Sequence, residues 1–247
     1  MKLDLNCDLG EGEPLSRTRS LMRWVTSANV ACGGHAGDLP TMEACVRFAK
    51  QHGVRLGAHP GLWNRNDFGR DRAPLTPDGF ELLFLQQVGA LERVAHANGV
   101  RIHHIKLHGA LYHASEEDEA LAPCYAAVVK RFWPRARIYA RAGGHVASVA
   151  RRAGLVVWEE AFADRGYRGD GTLVPRTEPN ALLAGTRLVV ERVRRLVERG
   201  EITAVSGETI AVHAQTLCIH SDTPRPTRLA RAVARELRAT ARAAPSI

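Results

Sequence analysis

Residues 27 to 38 read SANVACGGHAGD, and the order of residue types in them decides the fold. A short apolar run of strand type gives way to glycines, a histidine and an aspartate, and from Pro40 an amphipathic run leads to Gly53. Strand, tight turn and helix in that order make one β/α unit. Gly33 and Gly34 are expected to turn the chain sharply off the strand and present His35, while Asp38 caps a helix beginning near Pro40. A phosphate-binding loop would need a lysine and a serine or threonine after the glycines, and none follows.

The same unit recurs outward in both directions. Strand-like runs lie at 2–6 (KLDLN), 54–58 (VRLGA), 101–106 (RIHHIK), 137–140 (RIYA), 155–160 (LVVWEE) and 209–219 (TIAVHAQTLCI). Helical patterns separate them at 15–25, 41–53, 76–99, 116–132, 143–154 and 182–200, and a last one, rich in arginine, covers 226–244. Polar and titratable residues follow the strands: Asn6 and Asp8, then Asn29 and His35, then His59, then Lys106 and His108, then Glu159, Glu160, Asp164 and Arg165, and finally His220 and Asp222. In a parallel β/α barrel the C-terminal strand ends share one face, where active sites are built. An open doubly wound sheet would gather such residues at one switch point instead. The expected fold is α/β, a TIM-like parallel β/α barrel forming a single domain over residues 1–247.

Composition narrows the function classes. At 247 residues, with 45% hydrophobic and 24% charged residues, the chain is expected to bury a full-sized globular core. The net charge of +8 invites a nucleic-acid reading, which a terminal arginine-rich helix reinforces. No recognition-helix, zinc-finger or RNA-binding signature accompanies it, so nucleic acid is not an expected partner. Lysine occurs only at Lys2, Lys50, Lys106 and Lys130, so a lysine kept in so arginine-rich a chain points to a need for an amine. Five scattered cysteines form no C-x-x-C pair and suit reduced thiols. Apolar runs fall short of a membrane span, and the N-terminus carries an aspartate where a signal peptide is apolar, so a cytoplasmic protein is expected.

Asp8 and Glu11 lie three apart on what reads as a loop, either as a helix-start cap with a solvated glutamate or as a base or cation ligand. His35, His59, His108 and His220 each follow a different strand, so a barrel would gather them to bind a metal with Asp8 or Asp222, or to move protons. The metal candidates are Asp8, His35 and His59. Lys106 is either a snorkelling surface lysine or a cation for an oxyanion or phosphoryl oxygen. Asp164 and Arg165 read as a loop salt bridge or as a carboxylate set beside an anion-binding fork. Phosphate-loop, G-x-S-x-G and strand-linked G-x-G-x-x-G motifs are absent.

With DLNCDLGEG, TSANVACGGHAGD, GAHPG, KLHGALYH, FADRGY, GTLVPR and CIHSDTP in the same order along nearly its whole length, the sequence resembles the LamB/YcsF family. That family is the A subunit of bacterial ATP-dependent 5-oxoprolinase, a seven-stranded β/α barrel related to metal-dependent deacetylases. The chain departs from the family pattern in a shortened segment after Gly12, in Leu107 for a proline, in Ser221 for a glycine and in Gly34 for an aromatic residue. The resemblance implies hydrolysis of 5-oxo-L-proline to L-glutamate with ATP and its Mg2+, in complex with B and C subunits, with room for a homo-oligomer. From their strand-end placement and what that chemistry needs, Asp8, Glu11, His59, Lys106, His108 and Asp164 are expected to serve catalysis, and Asn6, His35, Arg165, His220 and Asp222 substrate binding. A metal-dependent amide hydrolase or deacetylase acting without ATP is the alternative.

Overall fold

The computed structural model describes residues 3–71, 75–183 and 185–243. Lys2, Ala184 and Ala244, on which expected elements fall, lie outside the described residues. Strands β1 (Asp4–Leu9), β2 (Ser27–Ala31), β3 (Arg55–His59), β4 (His104–Lys106), β5 (Arg137–Arg141) and β6 (Val157–Phe162) are joined by a last barrel strand, Thr216–His220. The seven are parallel and close on themselves, the last strand pairing with both β6 and β1. The closed sheet excludes the doubly wound alternative.

Helices α1 (Leu15–Met22), α2 (Leu39–His52), α3 (Pro77–Ala97), α4 (Gly109–Glu117), α5 (Leu121–Phe132), α6 (His145–Arg152), α7 (Thr186–Arg199) and α8 (Pro226–Ala243) complete the units. Local chemistry sets several of their ends. Asp38 accepts a hydrogen bond from the Thr41 amide at 2.8 Å, with Pro40 in the first turn, and Gly53 closes α2 in the left-handed conformation. Thr76 caps α3 in the same way.

Four expectations are corrected. The run 209–219 is two strands: β8 (Thr209–Ala211) pairs antiparallel with an unexpected β7 (Glu201–Thr203), and β9 (Thr216–His220) belongs to the barrel. The chain changes partners between them, the Val212 amide reaching Gly200 and the Gln215 amide reaching Glu159. The helix over 116–132 is interrupted where the Asp118 side chain accepts from the Ala120 amide, and GALYH, which lies outside the expected elements, opens α4. The strand over 101–106 shrinks to its last three residues. Asp8 stands in β1 rather than on a loop, because β1 is paired on both sides as far as Asp8.

Side chains alternate across each strand. Leu5, Cys7 and Leu9 belong to the apolar core, whereas Asp4, Asn6 and Asp8 take part in polar contacts with the other strands. The lumen is therefore polar, unlike the branched-aliphatic layers usual in such barrels. At its lower end Asp4 gathers Ser27, Thr216, Tyr139 and Arg55. Above it, His104 Nε2 donates to Asn29 Oδ1 at 2.6 Å, Asn29 donates to Asn6 and Asp8 at 2.7 Å, and Asn6 donates to Glu160 and Thr216. Burial holds the His104 imidazole well below its ordinary pKa, hence neutral, with its single N–H given to Asn29.

Gly57 makes room for that chain. A β-carbon there would lie 2.0 Å from His104 Nε2. Gly57→Ala is expected to cost about 3 kcal/mol, an overpacking penalty. His104→Ala combined with it should cost clearly less than the sum of the two single changes; additive losses in urea denaturation would show that the two residues do not compete for this space.

Candidate functional site

The upper ends of the strands enclose a cavity of about 570 Å³. Asp8, Glu11, His59, Lys106, His108, Arg165, His220 and Asp222 line it, so most of the expected residues meet there. Asn6, His35 and Asp164 do not reach its wall. Asn6 is fully buried beneath Asp8 in the lumen network, and His35 sits behind His108, the two rings stacked at 3.5 Å. Substrate contact expected of Asn6 and His35 is thus replaced by support of the residues in front of them.

At the floor the Lys106 ammonium lies 3.0 Å from Asp8 Oδ1, 3.0 Å from Glu160 Oε1 and 3.1 Å from Cys218 Sγ. The snorkelling alternative is excluded, since Lys106 is buried with only 2% of its surface exposed. Burial alone would lower the ammonium pKa, but the charges of Asp8 and Glu160 carry it well above the ordinary value. Burial would raise Asp8, and His59 and Lys106 together hold it well below. Cys218 beside them is a neutral thiol, pushed up by burial.

Glu11 is the centre of an imidazole cluster. Its Oε1 lies 3.0 Å from His35 Nε2, 3.1 Å from His108 Nδ1 and 3.6 Å from His59 Nε2. His59 Nε2 is also 3.4 Å from Asp8 Oδ2. Burial lowers the His59 imidazole and Asp8 more than offsets it, giving a net rise, whereas burial pushes His35 down to about 4.

The Asp164–Arg165 pairing is corrected. Asp164 is taken by His220, at 2.9 Å to the ring and 3.1 Å to the amide, which holds the carboxyl below its ordinary value despite burial. Arg165 donates instead to the carbonyls of Ala181 and Val174, tying down the loop beyond β6. Asp222 is at the rim, between Arg176 at 2.8 Å and Arg70 at 3.3 Å. Arg141 and Arg168 also line the cavity, so its upper wall is cationic.

Sequence reasoning passed over Glu160 as a neighbour of Asp164, and missed Tyr112, Cys218 and the rim arginines. Strand alternation gave a signal for two of them: Glu160 and Cys218 stand at inward positions of their strands, in register with Thr216 and Asn6. Tyr112, whose hydroxyl donates to Glu160 at 3.2 Å, is carried by the unexpected α4.

Fold and site together define a seven-stranded parallel β/α barrel with a buried cation, carboxylates and imidazoles at its C-terminal mouth. The chain belongs to the LamB/YcsF family, whose model matches residues 3–246. It is 38% identical to the lactam utilization protein from Thermus thermophilus, over 98% of each chain with a TM-score of 0.90. A candidate cellobiose-phosphate cleavage protein from Enterococcus faecalis shares the fold at 10% identity, covering 98% of this chain and 94% of that one, TM-score 0.56. A truncated 3-deoxy-D-arabino-heptulosonate 7-phosphate synthase from Thermotoga maritima does so at 10% identity, 98% and 87% coverage and TM-score 0.51. Within the family pattern, Gly34 in place of an aromatic residue has a local reason. A β-carbon there would lie 2.5 Å from the Gln87 side chain, which clamps Gly61 through both its amide and its carbonyl.

Lys106→Met keeps the volume and removes the charge, leaving Asp8 and Glu160 without their buried cation. The expected loss is about 3 to 5 kcal/mol at neutral pH. In the native chain Asp8 has a lowered pKa, so its stabilisation is present above the ordinary carboxylate value and lost as pH falls through the lowered one. In the variant the unpaired carboxylates resist ionisation, so the deficit grows as pH rises above about 4. Urea denaturation at acid and neutral pH checks this; a deficit independent of pH would contradict it.

Proposed function

We propose that this chain is the barrel subunit of a cytoplasmic ATP-dependent 5-oxoprolinase, opening 5-oxo-L-proline to L-glutamate while ATP is cleaved to ADP and phosphate, together with B and C partner subunits. The observation that carries the reading is the 38% identity, over 98% of both chains, to a protein described as acting in lactam utilization. The cavity is consistent with it. Its arginine-lined rim suits an anionic substrate, and its floor offers the groups that opening an amide requires.

A five-membered lactam is a resonance-stabilised amide that closes readily, so hydrolysis benefits from activation. Transfer of the γ-phosphoryl group to the carbonyl oxygen releases ADP and makes the carbon electrophilic. Water adds there, the C–N bond breaks, and the departing nitrogen takes a proton; the acyl phosphate that remains gives up phosphate to a second water. In this reading Asp8, buried and ionised beside His59, positions the first water, and the imidazole carries its proton. Lys106 holds negative charge developing on oxygen, in a site that water does not screen. His220, fixed by Asp164, stands across the floor as a second proton carrier. Magnesium arrives with ATP, and the arginines that line the cavity, Arg70 and Arg176 among them, are available to its phosphates.

The test is ADP release dependent on 5-oxoproline, measured with and without the B and C subunits. Asp8→Asn should lower kcat by about 10² to 10⁴ while circular dichroism shows a folded chain. Full activity in this variant would remove Asp8 from the reaction. Hydrolysis by the chain alone, with no ATP, would instead establish an amide hydrolase or deacetylase.

A further inference from the structure

We propose that Glu11, His59 and His108 bind one divalent cation of the zinc, manganese or cobalt(II) class at the cavity floor. The outer nitrogens of both rings face carbonyl oxygens, which only accept: His59 Nδ1 lies 2.8 Å from the Lys106 carbonyl, and His108 Nε2 lies 2.8 Å from that of Phe68. Each neutral ring therefore has its N–H committed to the backbone, and its inner nitrogen presents a lone pair. Yet those inner nitrogens, His59 Nε2 and His108 Nδ1, face each other at 3.0 Å. Glu11 Oε1 completes the triangle at 3.1 Å and 3.6 Å.

With both rings neutral, three lone-pair donors converge there. One added proton relieves one edge of the triangle; a shared cation satisfies all three. Edges of this length are those spanned by donors each roughly 2.0 to 2.2 Å from a common ion. The outer N–H bonds to backbone carbonyls are the supporting contacts that fix a ligating imidazole's tautomer. Two imidazoles and one carboxylate suit a borderline divalent ion better than calcium or magnesium, and leave coordination positions open to the cavity. Bound there, the ion would polarise an oxygen or activate a water.

Two neighbouring arrangements are less suitable. His35 stacks on His108 with the planes 1° apart, and the in-plane lone pairs of parallel rings do not meet at one centre. Its Nδ1 is buried without a partner and its Nε2 lies 3.0 Å from Glu11, so it donates to Glu11 from behind and orients it. Of the metal candidates expected from sequence, His59 remains, and Asp8 stands beside the triangle rather than in it. Asp8, Cys218 and His220 also converge, but the Lys106 ammonium already sits 3.0 Å from Asp8 and 3.1 Å from Cys218.

The full chain is stripped with a chelator, dialysed, and titrated with Zn2+ and with Co2+. Calorimetry and elemental analysis should give about one ion per chain, with a rise in Tm and a visible cobalt spectrum. His108→Ala and the near-isosteric Glu11→Gln should each weaken binding by roughly 100-fold or more, and Cys218→Ser should leave it unchanged. Absence of stoichiometric binding by the folded chain overturns the proposal. So does unchanged affinity in Glu11→Gln, or loss of the ion in Cys218→Ser. Occupancy is read without substrate, so failure here leaves the lactam reading standing, and failure of that reading leaves the ion site standing.

Discussion

An ammonium sealed from water and held 3.0 Å from each of two carboxylates is the contact on which the rest of this barrel depends. Taking three charges out of water costs several kcal/mol apiece, and attraction offsets that cost only when every remaining lone pair and proton finds a partner. Here they do. Asn29 donates to Asp8, and Asn6 and Tyr112 donate to Glu160. The arrangement ties β1, β4 and β6 across the lumen. It matters most for β4, which is only three residues long.

A polar lumen also fixes register. Slipping any strand by one residue would turn its inward set outward and bring apolar residues in. In β1 that would place Asp4, Asn6 and Asp8 against the helices and expose Leu5, Cys7 and Leu9 to buried amides and carboxylates. The cost is far larger than in a lumen of branched aliphatics, where neighbouring residues are chemically alike. Specificity of pairing and assembly of the site therefore have one physical origin: the residues that hold the register are the residues that orient Asp8 and Lys106.

The strand-end pattern made the barrel legible, because titratable residues behind successive strands have one topology that unites them. The Asp38 cap was legible for a local reason, its place just ahead of Pro40. What escaped depends on partners distant in sequence. The break inside 209–219 comes from Val212 and Gln215 bonding to Gly200 and Glu159, which no window around them contains. Arg165 beside Asp164 suggested a pair, but adjacent residues leave a chain in different directions; Asp164 found His220, and Arg165 found loop carbonyls. His35 lies within the imidazole cluster but behind His108, a difference of depth that sequence position does not carry.

Depth also explains the character of the site. Below the arginines of the rim, the carboxylates of Asp8, Glu11, Glu160 and Asp164 lie near two buried cations, Lys106 and Arg165, all largely shielded from water. His35 contributes nothing to the balance, since burial keeps it neutral near physiological pH. Beyond Lys106 and Arg165 the balance falls to the rim arginines, and, between the rings around Glu11, to either a proton or a cation from solution. Those two solutions make opposite demands on the same nitrogens, a proton filling a lone pair that an ion would use. The backbone carbonyls of Lys106 and Phe68 weigh on that choice by holding the outer N–H of His59 and His108, which leaves both inner lone pairs pointed at Glu11.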